Sequence, residues 1–159
     1  MSDFSNYMES LAAEHKLVGH SGTECHFSDM ASDLSQKLRR KMCYPCVAID
    51  CEGFAVKGGP GCRMLCNVYD IYVLEHVRDT GDQDGLRQTM DRTRVILHDI
   101  LRRMMRDKER GMRPVAFFEV SDAEGFPVTF KEMALYGWGL SVIVPEALNS
   151  HICNDHFER

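Results

Sequence analysis

Between residues 84 and 107 the chain reads DGLRQTMDRTRVILHDILRRMMRD, with apolar side chains at Leu86, Met90, Leu97, Ile100, Leu101 and Met104. Val95, Ile96 and Met105 widen this stripe. The interval is close to the α-helical repeat of about 3.6 residues and predicts an amphipathic helix of about six turns. Asp84 stands where an N-cap would, and Gly111 followed by Pro114 ends the pattern. Arg87, Arg94, Arg102, Arg103 and Arg106 fall opposite the apolar stripe. Strand-like runs flank the helix on both sides, so it is expected to cover one face of their sheet.

Upstream, Phe4, Met8, Leu11, Ala12 and His15 recur at helical spacing over residues 3–18, with Gly19 as the stop. After HSGTECHFSD, polar and turn-rich and read as a loop or a short extended piece, Ser28 or Asp29 can cap a second short helix through Met30, Leu34, Leu38 and Met42, which Pro45 closes. CVAIDC from Cys46 is a compact strand candidate, and EGFAVKGGPG over 52–61 a glycine-rich hairpin tip. Residues 62–77, CRMLCNVYDIYVLEHV, form the strongest strand candidate. Val68, Tyr72 and Leu74 alternate with Tyr69, Ile71 and Val73, so both of its faces are apolar and both need cover. The long helix supplies one cover; the N-terminal helices or a second subunit must supply the other. VAFFEV (115–120) and residues 126–132 read as strands joined by SDAEG, and residues 134–144, ALYGWGLSVIV, as the last strand. On that strand Tyr136, Trp138, Leu140, Val142 and Val144 share a face, while Gly137, Gly139 and Ser141 leave a shallow strip on the other. The expected fold is α+β: an antiparallel sheet of about four to five strands covered by one long helix, with N-terminal helices. It forms a single domain over 1–159, in which residues 1–43 are helical, residues 44–145 form the sheet and long helix, and residues 146–159 are a polar tail.

Length and composition are consistent with this. A chain of 159 residues with 44% apolar content can bury a real core. A net charge of −5 argues against a general nucleic-acid binder, although nine of the 19 Lys and Arg residues crowd into 87–113. No run approaches the ~20 apolar residues of a membrane helix, and MSDFSNYMES is unlike a signal peptide. The protein is therefore expected to be cytoplasmic when made. Its seven cysteines are an odd number, expected as reduced thiols.

Candidate chemistry is thin. Cys43-x2-Cys46 and Cys62-x3-Cys66 have a partial zinc-site look, yet Cys62, Met64 and Cys66 also share one strand face, as small buried hydrophobes do. His15, His20, Cys25 and His26 carry metal-type ligands without a ligating spacing and read as surface or turn residues. There is no Gly-x-Ser-x-Gly, and no Gly-Lys-Ser/Thr follows the GGPG at 58–61. Asp50, Glu52, Asp70 and Glu75 are scattered carboxylates on strand-like segments. No catalytic, metal-binding or cofactor-binding residue is assigned, and no small-molecule substrate or membrane partner is expected.

The element order carries a resemblance. His15-Lys16 with His20 and His26-Phe27, then Tyr44-Pro45-Cys46-Val47, Val73-Leu74-Glu75-His76-Val77, Arg106-Asp107-Lys108 and Leu135-Tyr136-Gly137-Trp138-Gly139-Leu140 together look like the small tail-completion or tail-terminator (neck) proteins of tailed phages, particularly those of gut anaerobe prophages. The likeness runs from about Glu14 to Val144 and is one of order and scattered residues; the seven cysteines depart from it. It implies a small α+β subunit of a homo-oligomeric ring at the tail end or head–tail junction, without catalysis, contacting other tail or neck proteins and located in the virion if phage-derived. In that reading Phe54, Val56, Lys57, Tyr69, Ile71 and Val73 are the candidate subunit contacts. Arg102, Arg103 and Arg106 are the candidate partner-facing cations. The competing readings are a small adaptor using the arginine-rich helix face and a thiol- or zinc-dependent enzyme.

Overall fold

The computed structural model describes residues 2–29, 42–119 and 123–148. The first helix, α1 (Asp3–Glu14), is capped by Ser2, whose hydroxyl accepts from the Ser5 amide. Strand β1 (Cys25–Ser28) follows, then two long strands, β2 (Met42–Lys57) and β3 (Met64–His76). The long helix α2 (Gln83–Glu109) leads through a 3-10 turn (Val115–Phe117) to β4 (Glu124–Phe130), a second 3-10 turn (Lys131–Met133) and β5 (Leu135–Ala147). The five strands lie in the order β1-β2-β3-β5-β4. β5 thus inserts between β3 and the strand that precedes it in sequence.

The fold is α+β, but its sheet is mixed, not antiparallel as expected, because β1 runs parallel to β2. A short extended piece is one of the expectations for this stretch, but four residues carry too little alternation to fix its partner or direction. Other boundaries shift for local reasons. β2 continues through Pro45 to Lys57, so most of the expected 52–61 tip is strand and the turn begins at Gly58. A bulge between Cys51 and Gly53 absorbs the odd residue. The helix cap is Asp82, which accepts from the Gly85 amide, rather than Asp84. VAFFEV is no strand where described: Val115 and Phe118 both turn into the core from the 3-10 turn. β5 runs past Pro145; of the expected helix through Met30, Leu34, Leu38 and Met42, Met42 instead opens β2 and the rest lies outside the described residues.

Among the described residues the two faces of the sheet are covered unequally. On one, Val47, Ile49, Tyr69, Ile71, Val73, Leu140, Val142 and Val144 meet both helices. α1 contributes Phe4, Met8 and Leu11, and α2 contributes Ile96, Leu97, Ile100 and Met104. The Phe4 and Tyr69 rings are 4.4 Å apart. The N-terminal helix therefore shares a face with the long helix and does not cover the opposite one. On the other face a small cluster forms from Cys46, Ala48, Leu74 and Leu135, flanked by Tyr44, Tyr72, Val128, Phe130 and Met133. The strip left by Gly137 and Gly139 is filled: a Cβ on Gly139 would stand 2.4 Å from the Phe126 ring. One on Gly137 would stand 1.9 Å from the Val73 carbonyl oxygen.

Candidate functional site

The expected contact residues divide into two groups. Tyr69, Ile71 and Val73 lie beneath the helices in the chain's own core and cannot meet another subunit while the fold is intact, which removes them from the candidate contacts. Phe54, Val56 and Lys57 sit on the distal end of β2, where the core's cover has ended at Ile49. There Phe54 is 70% and Val56 51% exposed. β1 reaches only as far as Ala48 on β2, so among the described residues the outer edge of β2 beyond that point has no partner strand. The β2–β3 ladder continues as an arm from Gly53, opposite Val68, to Lys57, opposite Met64. An exposed apolar edge strand is a template for pairing with another chain. Phe117, 52% exposed, borders a hollow of about 160 Å³ lined also by Arg113, Pro114, Pro145 and Ala147.

The three predicted partner-facing arginines also separate. Arg103 is engaged within the chain: its Nε donates to both Asp107 oxygens at 3.1 and 3.0 Å, and a terminal nitrogen donates to Glu14 at 2.9 Å. Asp107 is fully buried and accepts a further bond from the Tyr7 hydroxyl at 2.9 Å. This group clamps α1 onto α2 and keeps the Tyr7 phenol protonated. Burial first, then the bond to Asp107, pushes its pKa well above the usual tyrosine value. Arg92 likewise grips Glu75 of β3 in a two-pronged pair. Arg94 lies 5.0 Å over the Trp138 ring, whose N–H donates to the Met90 carbonyl. Arg102 pairs with Asp99 on its own helix at the surface, and Arg106 is exposed with no ion pair among the described residues.

The cysteines do not converge. Cys46 pairs in register with Leu74, whereas Cys66 pairs with Ala55, nine residues further along β2. At about 3.3 Å per residue that separates the two by roughly 30 Å, far beyond any shared zinc ion. Among the described residues no three His, Cys, Asp or Glu side chains are placed to hold a metal. Burial pushes the Cys46 thiol up to about 12, so it stays a protonated packing group. The histidines act as local pins. His26, buried rather than on the surface, meets the Pro45 carbonyl at 2.8 Å through Nδ1. His20 accepts from the His26 amide and meets Glu9, and His15 lies 3.5 Å from Asp99.

Sequence reasoning missed one feature, the alignment of carboxylates on the outer sheet face. Asp50 stands opposite Asp70, Asp70 opposite Ser141, and Ser141 opposite Glu124. Tyr72 donates to Asp70 at 3.1 Å, and Ser141 donates to its other oxygen. Burial, then Asp70, then Glu52 and Asp50 raise the Tyr72 pKa. Only strand register brings these positions together.

No described helix is long and apolar enough to cross a membrane. Comparison with protein-family models, curated proteins and solved structures finds no match for the chain.

Proposed function

We propose that the chain is a structural subunit that assembles with copies of itself into a ring at the end of a phage or prophage tail or at the head–tail junction, and works by contact rather than by catalysis. The observation that carries the assembly half of this reading is the β2–β3 arm. A monomer gains nothing from holding Phe54 and Val56 in water, and covering what remains exposed of them is favourable by about 1–2 kcal/mol each. The unpaired β2 edge adds backbone donors and acceptors that a neighbouring chain can satisfy. The tail-end or neck location is supported by the order of elements and by the residues that resemble tail-completion proteins.

The test is sedimentation and light scattering of the purified protein beside a Phe54→Ser/Val56→Ser variant. The wild type is expected to assemble with rising concentration, and the variant to remain near the 18.2 kDa of one chain. A wild type that stays monomeric at every concentration would refute the proposal. A variant that assembles as well as wild type would remove the arm from it.

A further inference from the structure

The arm accounts for an apolar contact but leaves two charged surfaces of opposite sign. The first is the carboxylate row of Asp50, Asp70 and Glu124, joined by Glu52, exposed at the β2 bulge that follows Asp50. Like charges directly opposite on neighbouring strands destabilise a sheet. Asp70 is relieved only by the neutral Tyr72 and Ser141 hydroxyls, and among the described residues no ion pair involves Asp50, Glu52, Asp70 or Glu124. By strand alternation the one Lys or Arg on that face of the described strands is Lys57, at the far end of the arm.

The second surface is on α2, across the sheet from the first. Arg102, Arg106 and Arg110 follow at four-residue intervals and so share one flank of the helix, where like charges again repel. All three are exposed, and neither Arg106 nor Arg110 has an ion pair among the described residues. Val95 and Met105 are exposed beside them. The two surfaces also match in length. Four adjacent strands spread the carboxylates over about 14 Å, and eight residues of helix spread the guanidinium groups over about 12 Å.

We infer that neighbouring copies join head to tail, the row of Asp50, Glu52, Asp70 and Glu124 on one copy docking against Arg102, Arg106 and Arg110 of the next. The inference rests on the self-assembly proposed above and specifies its geometry. Because the two surfaces lie on opposite faces of the sheet, one two-fold contact cannot bring them together, so this pairing is heterologous and forms a ring when the rotation from copy to copy closes. Each junction relieves both repulsions, and because it draws on exposed charges it weakens as salt is raised.

The experiment uses two full-length variants, D50K/E52K/E124K and R102E/R106E/R110E, each checked for a wild-type circular dichroism spectrum. Asp70 is left in place because it anchors Tyr72 and Ser141. Each variant alone is expected to raise the concentration at half-assembly by roughly a hundredfold, since like charges now face across the junction. Mixed in equal amounts, the two are expected to co-assemble, because the reversed row of one meets the reversed stripe of the other. Combining all six changes in one chain is expected to restore self-assembly. If the wild type assembles and both variants match it, or if the folded variants fail to rescue each other, the head-to-tail pairing is wrong while the ring reading survives. If the wild type never assembles, both fall. Loss of assembly through the arginine changes alone, with the acidic changes silent, would mean that the stripe meets some other anion such as a phosphate backbone, and would also overturn the pairing.

Discussion

Replacing Asp107 tests the clamp that fixes α1 to the rest of the molecule. In Asp107→Ala the Tyr7 hydroxyl, buried and bonded at 2.9 Å, loses its acceptor. A stranded buried donor costs about 1–3 kcal/mol. Arg103 loses two contacts but is 39% exposed and keeps Glu14 at 2.9 Å, so its charge can be rehydrated. The 3–5 kcal/mol typical of breaking a fully buried pair is therefore an upper limit, and about 2–4 kcal/mol is expected. Tyr7→Phe leaves the carboxylate with Arg103 and is expected to cost only about 1 kcal/mol. Because both changes remove the same bond, the double variant should fall short of the sum by about 1 kcal/mol. Urea unfolding at low protein concentration, followed through Trp138, measures all three. An Asp107→Ala variant within about 0.5 kcal/mol of wild type, the usual surface value, would refute the clamp.

Two further outcomes follow from the same contacts. Gly139→Ala pushes a methyl group to within 2.4 Å of the half-buried Phe126 ring, which can swing aside at a cost of about 1–2 kcal/mol, whereas Gly137→Ala meets the backbone of the central strand at 1.9 Å and should cost about 3 kcal/mol or more; thermal melts giving the reverse order would contradict the β3–β5 register. The fold holds Tyr7 as the neutral phenol, with a pKa raised above its unfolded value of about 10, so its stabilisation is whole below that pH and is lost as pH rises from there toward the folded value, at up to about 1.4 kcal/mol per pH unit. Urea midpoints measured across the alkaline range should fall less steeply for Tyr7→Phe than for wild type, and equal slopes would disprove the assignment.

Those contacts also mark how far the sequence could be read. The long helix is legible because its apolar period is strong, but its buried stripe is not purely apolar. Thr89, Thr93 and Asp107 take inward positions while Val95 and Met105 face out. Thr93 can do so because its hydroxyl returns to the Thr89 carbonyl at 2.8 Å. Asp107 can do so because Tyr7 waits a hundred residues upstream, a pairing that periodicity cannot show. In the same way the double-sided strand was visible, but not that both described helices choose one side of it. Pro45 and Gly53, which look like boundaries, sit inside β2. For the assembly surface, the arm residues Phe54 and Val56 could be picked out from composition. The carboxylate row could not, because it exists only once β2, β3, β5 and β4 are side by side.

Net charge is for this reason a poor guide to how such a chain meets its neighbours. The stretch 84–113 holds nine Lys and Arg against five Asp and Glu, so the rest of the chain, with ten against nineteen, is strongly acidic. Folding then sorts the arginines by use. Arg92 and Arg103 are consumed tying α2 to β3 and α1, and Arg94 stacks on Trp138. What remains outward is Arg87 near the start of α2, Arg113 beyond its end, and the stripe of Arg102, Arg106 and Arg110 on the side of the molecule away from the acidic face. A globule with cations on one side and carboxylates on the other has a large dipole, and in the proposed assembly such a field orients an approaching copy before any apolar contact forms. The arm can then act at short range, where Phe54 and Val56 are covered only after the copies are in register. Charge would set the order of subunits and the arm their retention. Salt should therefore slow association more than it hastens dissociation, whereas loss of Phe54 should do the opposite.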